Sequence, residues 1–457
     1  MYSIQDLLEG YQRKQFSPVE ITQSYIEKAK HNRNLNAFIS ITEDVALQQA
    51  KLSEMKWQLG EVGQLEGIPL SYKDNIHTKG TASTSGSKID QDFIPEKNAT
   101  IIEAMNQAGA VMIGKNNMHE FAFGITNNNP FYGPAKNPWN PQLISGGSSG
   151  GSAVAVLAGL SVASLGTDTG GSIRIPAASC GLVGLKPTYG MLPNEGLTLI
   201  SQTLDHLGPI TKDISDLILM MEALTGNNFS VIDSTAEDLR GVKIGVPVNF
   251  FTEKIETDVL ESYKATIKKL EQLGAHLVDV EVPYAKEAIP LTFTLAITEG
   301  GYSHKDRIKK HMDDYGYDVA HVMQASKSIP AYDYVHALTR RTEIIAACDR
   351  MLEQVDAIIT PTIPAQPKPI DQEIVQFNGE EEPIFDCMIR YTSYFNLTGH
   401  PAISIPVGLA NDIPIAVQLV SRKWKERQLI SIAKIFEDNY LSDFYEQRDK
   451  LVASLKV

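Results

Sequence analysis

Two glycine-rich loops that each carry serine constrain this chain more than any other feature. They are Ser145-Gly146-Gly147-Ser148-Ser149-Gly150-Gly151-Ser152 and Gly166-Thr167-Asp168-Thr169-Gly170-Gly171-Ser172. The segment joining them, residues 153–165, is small and apolar and can only pack tightly. Each glycine costs backbone entropy on folding, so such density is no device for stability. Around serines it brings backbone N–H groups close to something that carries or develops negative charge. The pattern points to a serine-based catalytic site.

The 457 residues leave room for one large domain or two to three ordinary ones, with a substantial core. A net charge of −14 argues against binding driven by a nucleic-acid backbone. Cys180, Cys348 and Cys387 stand far apart and form no Cys-x-x-Cys pair. Neither a disulfide framework nor a metal site is expected, and no cofactor. The N-terminal residues show neither a basic n-region nor an apolar h-region, so no signal peptide is expected. Residues 153–165, the longest uncharged apolar run, are too short to span a bilayer. These features lead to the expectation of a soluble, cytoplasmic protein with no membrane and no direct nucleic-acid partner.

Ser17-Pro18-Val19-Glu20 reads as a helix start, with Ser17 as N-cap, Pro18 at the first helical position and Glu20 closing a capping box. Further helices are predicted after Thr42 and over 98–109, 212–225, 257–273, 333–355 and 425–438. Predicted strands are 67–73, 111–114, 162–165, 242–246, 276–282, 357–361, 402–407 and 414–420. This alternation indicates an α/β architecture with a mixed or mostly parallel sheet. Residues 362–385, rich in Pro, Gln and Glu, read as a long surface loop. The polar stretch 228–240 could separate two lobes or be a loop within one domain; the strands after it favour one domain.

Gly146-Gly147-Ser148-Ser149-Gly150 formally satisfies the Gly-x-Ser-x-Gly nucleophile elbow. That elbow needs a strand running into the serine, and Asn137-Pro138-Trp139-Asn140-Pro141 is a loop by every turn signal. A phosphate-binding loop lacks its Gly-Lys-[Ser/Thr]. A packing turn could explain one such loop less awkwardly than two. The remaining reading needs a base, and Lys73, closing an apolar strand, can serve if burial lowers its pKa. Taken alone, Lys73 reads better as a surface lysine at a strand end.

Gly67-Ile68-Pro69…Lys73-Asp74-Asn75, the run Gly114 to Gly124, both serine loops, Leu204-Asp205-His206-Leu207-Gly208-Pro209 and Gly399-His400-Pro401-Ala402 together resemble the amidase signature family. The resemblance is densest over 67–210 and looser over most of the chain. It implies one α/β domain over 1–457, a mixed sheet flanked by helices, with a catalytic core about 60–220 and a variable substrate region about 284–390. It also implies a Ser-cisSer-Lys triad: Ser172 as nucleophile, Ser148 as bridging serine behind a cis peptide bond, Lys73 as base. Ser149 and Ser152 compete for the bridging place. Backbone N–H groups of Thr169, Gly170, Gly171 and Ser172 would form the oxyanion hole, and the reaction would pass through an acyl-enzyme. Phe123, Gly124, Ile125 and Thr126 would meet substrate, with Phe123, Ile125 and Phe131 as an apolar wall. Asp168 and Arg174 are expected as a buried ion pair bracing the loop, and Cys180 as a core residue.

The family includes stand-alone amidases and the glutaminase component of the tRNA-dependent amidotransferase, which the N-terminal half resembles closely. That component's pattern carries an aspartate ahead of Asn396-Leu397-Thr398-Gly399; here Ile389 and Arg390 stand there. Its arginine-bearing middle segment is replaced by His311-Met312-Asp313-Asp314-Tyr315-Gly316-Tyr317 and Tyr332-Asp333-Tyr334. An unpaired substrate ammonium spoils specificity for glutamine, so a stand-alone amidase acting on a small-molecule amide is the preferred expectation. The amidotransferase glutaminase is the alternative, and a homodimer is left open.

Overall fold

Helix Pro18–His31 begins as its sequence dictates: the Ser17 and Glu20 side chains each bond the other's backbone N–H, and Ile21, Tyr25, Ile26 and Ala29 face inward. The computed structural model describes residues 1–229 and 238–455. Its strands, in chain order, are β1 (Phe38–Ile41), β2 (Pro69–Lys73), β3 (Val111–Asn116), β4 (Ala163–Asp168), β5 (Val183–Lys186), β6 (His206–Thr211) and β7 (Lys243–Pro247). There follow β8 (His276–Val280), β9 (Ala357–Pro361), β10 (Ile374–Phe377), β11 (Glu380–Pro383), β12 (Ala402–Ala410) and β13 (Ile413–Val420).

Eleven of these form one sheet in the order β1-β3-β2-β4-β6-β5-β12-β13-β9-β7-β8. β2 runs parallel to β3 and β4, and β7 to β8 and β9, while the remaining pairs are antiparallel. The sheet is therefore mixed, and helices flank it. Every residue of β2, β3 and β4 is buried, as expected of strands covered on both faces. Tyr25 and Ile26 join Leu70, Leu165, Leu217 and Ile430 in one apolar cluster, and Val154, Ile173 and Ile210 belong to another.

The predicted strands and helices named above are present, with ends shifted by a few residues. Strand β4 begins at Ala163, because the small-residue run first forms helix Gly150–Leu157. Three features differ from expectation. β1, β5 and β6 lie in the sheet although no strand is predicted there. The variable region holds further α-helices, Ala288–Ser303, Lys305–His311 and Tyr317–Ala325, with short 3-10 turns at Ala285–Glu287 and Met312–Asp314. Residues 362–385 are not a plain loop: β10 and β11 pair as a hairpin, and helix Ile384–Ile389 follows. Of the stretch 228–240, residues 230–237 lie outside the described residues, and β7, after it, joins the same sheet.

Candidate active site

β2 and β4 are parallel neighbours, with Tyr72 opposite Leu165. Their carboxyl ends open side by side, the end at which α/β sheets present ligand sites. β2 closes on Lys73 and β4 on Asp168. Residues 169–173 turn from β4 into helix Arg174–Cys180, and Ser148 precedes helix Gly150–Leu157.

Lys73 Nζ lies 2.7 Å from Ser148 Oγ and 2.8 Å from Thr167 Oγ1. Both Lys73 and Ser148 are fully buried. Burial lowers the Lys73 pKa to about 7, against the opposing pull of Asp205 and Asp168. A substantial neutral fraction at neutral pH follows. The Gly147–Ser148 peptide bond is cis. The competing serines turn elsewhere: Ser149 Oγ donates to the Thr167 carbonyl at 3.2 Å, and Ser152 Oγ to Asn116 Oδ1 at 3.3 Å.

Ser172 is 5% exposed and, with Thr169 and Gly170, lines a cavity of about 640 Å³. Asp168 accepts from the N–H groups of Ile173 (3.1 Å) and Arg174 (3.5 Å). No acceptor among the described residues takes the N–H groups of Thr169, Gly170, Gly171 or Ser172. Gly171 has φ +139°, and a Cβ there would stand 2.3 Å from Thr392 Oγ1, which itself donates to the Gly170 carbonyl at 2.6 Å. The loop thus needs glycine at 171 for both backbone and space.

Asp168 and Arg174 pair without solvent access. Burial opposes the Asp168 charge, but Arg174 and Asn396 outweigh it and hold the carboxyl below the usual range. Arg174 further donates to Asn396 Oδ1 (2.7 Å), Gln418 Oε1 (3.0 Å) and the Thr392 carbonyl (3.1 Å). Asp205 accepts from Thr169 Oγ1 at 2.6 Å, and burial pushes its carboxyl up to about 6. Thr167, Thr392 and Gln418 were not picked out from sequence. The block Leu204-Asp205-His206 carried a signal for Asp205, and Asn396-Leu397-Thr398-Gly399 one for Asn396. Cys180 sits fully buried in an apolar cluster.

Phe123, Gly124, Ile125 and Thr126 line the same cavity as Ser172, together with Ile200, Phe293, Phe385 and Ile389. Phe131 stands apart, 38% exposed, so it adds nothing to the wall expected of it. Ile389 faces the cavity, whereas Arg390 is spent on Glu382 and on the Lys254 carbonyl at 2.7 Å. Among the described residues no cluster suited to a metal ion occurs, and no helix is long and apolar enough to cross a membrane.

Comparison with known proteins gives the arrangement a family. The family model described as Amidase matches residues 20–430. The A-subunit of glutamyl-tRNA(Gln) amidotransferase from Thermoanaerobacter pseudethanolicus is 36% identical over 95% of this chain and 96% of its own. A crystal structure of an amidase superposes with TM-score 0.90 at 30% identity, covering 96% of this chain and all 100% of that one. The corresponding amidotransferase A-subunit of Thermotoga maritima superposes at 0.78 with 32% identity, over 93% and 92%. The chain belongs to the amidase family, hydrolases that cleave C–N amide bonds.

Proposed function

We propose that the chain hydrolyses a carboxamide through Lys73, Ser148 and Ser172. The observation that carries this reading is the buried contact between Lys73 and Ser148, set behind a serine that alone of the three lines the cavity. Neutral Lys73 takes the proton of Ser148 as Ser148 takes that of Ser172, and Ser172 Oγ attacks the amide carbon. The oxyanion forms against the N–H groups of residues 169–172, which no acceptor among the described residues takes. The proton returns along the relay to the leaving nitrogen, the C–N bond breaks, and ammonia or an amine departs from an acyl-enzyme. Water then attacks the ester carbon, giving up its proton to the relay, and releases the carboxylic acid and Ser172.

Two substrate readings each have support. The apolar wall and the closer superposition on an amidase favour a simple amide hydrolysed by the lone chain. The near full-length identity to amidotransferase components favours a glutaminase that works with partner proteins, and the relatives' names weigh toward it. Ammonia release by the purified chain, from a panel of primary amides that includes glutamine, separates them, with Ser172→Ala as control. Release from simple amides, absent in the variant, supports the lone amidase. Release from glutamine alone, or only with co-expressed partners, supports the amidotransferase component. Equal release by both proteins removes Ser172 as nucleophile.

A further inference from the structure

The cavity beside Ser172 has a one-sided charge. Its lining includes Asp318, Asp371, Glu373 and Asp386 but, among the described residues, no lysine or arginine. Asp318 is bonded to His119 Nε2 at 2.7 Å, and Asp371 and Glu373 stand exposed at the mouth. Asp386 differs. It is half-buried in the wall and makes no hydrogen bond or ion pair with any described residue. Its neighbour Arg390 is committed to Glu382 and the Lys254 carbonyl. Burial, with Glu382 nearby, raises the Asp386 carboxyl above the usual range against the opposing pull of Arg390.

A second polar group lacks a partner in the same wall. Thr292 is 5% exposed, lines the cavity, and its buried Oγ1 has no hydrogen-bond partner among the described residues. Its neighbour Phe293 stacks on Phe385, the residue before Asp386, with ring centroids 5.4 Å apart. The same lining carries the apolar side chains of Phe123, Ile125, Ile200 and Ile389.

This inference rests on the amide-hydrolase reading. We propose that the site selects an amide whose apolar acyl chain ends in a cation, received by Asp386. Asp386 and Ile389 lie three positions apart on helix Ile384–Ile389, about 4.5 Å along its axis. An α-carboxylate such as glutamine's finds no cation in the lining, and a buried unpaired charge is costly.

The test compares three amides of equal length on the purified chain: hexanamide (neutral), 6-aminohexanamide (cationic) and the monoamide of adipic acid (anionic). The expected kcat/KM order is cationic, neutral, anionic, with the first step about tenfold, the scale of a charge-assisted hydrogen bond. Asp386→Asn brings the cationic-to-neutral ratio to about one. A wild-type ratio at or below one, a ratio that survives Asp386→Asn, or glutamine turned over faster than all three overturns the proposal. If Asp386→Asn does not fold, the wild-type order across the three charges decides. Hexanamide hydrolysis that Ser172→Ala abolishes, without discrimination by charge, removes this inference alone. No hydrolysis of any amide by the lone chain removes the lone-amidase reading and this inference with it.

Discussion

Arg174 grips Asp168 from two sides, Nε to Oδ2 at 3.0 Å and Nη2 to Oδ1 at 3.0 Å, and neither side chain reaches solvent. The same carboxylate takes the N–H groups of Ile173 and Arg174, so one ion pair sets the turn that presents Ser172. Removing one partner of a buried pair strands the other charge, at a cost of about 3–5 kcal/mol. Arg174→Met is expected to lower stability by that amount in urea unfolding and to depress activity with it. An unchanged midpoint shows that the pair does not brace the loop.

The pH profile follows from the sign of the Lys73 shift. Its pKa is lowered to about 7 in the folded protein, and the proposed base is the neutral amine. Protonation therefore removes the base as pH falls: kcat/KM is flat above about pH 8 and declines about tenfold per unit well below pH 7. Lys73→Met loses about 10²–10⁴-fold in kcat/KM. A profile that is flat, or that falls as pH rises through 7, contradicts Lys73 as base.

Gly171→Ala places a methyl group against Thr392 in a backbone region that alanine avoids. The expected loss in kcat is about 10²-fold, the scale of one misplaced oxyanion donor. Gly190→Ala is the control: its φ is +81° but nothing stands within 4 Å of the added Cβ. That variant loses stability of about 1 kcal/mol and keeps its kcat. Equal kcat in the two variants counts against the loop geometry.

All three cysteines are free and buried. Burial pushes the Cys348 and Cys387 thiols up to about 12 and raises Cys180 as well. Cys348 Sγ stands 3.6 Å from His400 Nδ1, and Asp349 Oδ1 lies 2.9 Å from the other ring nitrogen. This has the order of a cysteine–histidine–aspartate nucleophile, yet it lacks access and a thiolate. Native protein treated with iodoacetamide should stay active and show no modified cysteine by mass spectrometry. Modification of Cys348 with matching inactivation contradicts this.

Much of the site was legible because its chemistry sits in short motifs: Lys73 at a strand end and a serine in each glycine loop. What escaped is the support those motifs receive from far along the chain. Thr392 and Gln418 carry no local mark, because their role exists only once Arg174 arrives beside them. β6 escaped for a local reason. Gly208 and Pro209 read as breakers of a central strand, but a Cβ at 208 would meet the Leu185 carbonyl at 2.1 Å, so the neighbouring strand demands glycine there. The hairpin of β10 and β11 escaped because Pro, Gln and Glu dominate its surroundings. Its period-two burial shows in Val375 and Phe377, 2% and 6% exposed, against outward Ile374 and Gln376.

Arg174 reaches its supports across 218, 222 and 244 residues of sequence. A growing chain has therefore emitted Lys73, Ser148 and Ser172 long before the groups that hold their loop in shape. Domains form as units once their long-range contacts are available. On the ribosome, the Ser172 loop waits for β13, and a chain released early, short of Gln418, carries Lys73, Ser148 and Ser172 without the groups that brace their loop.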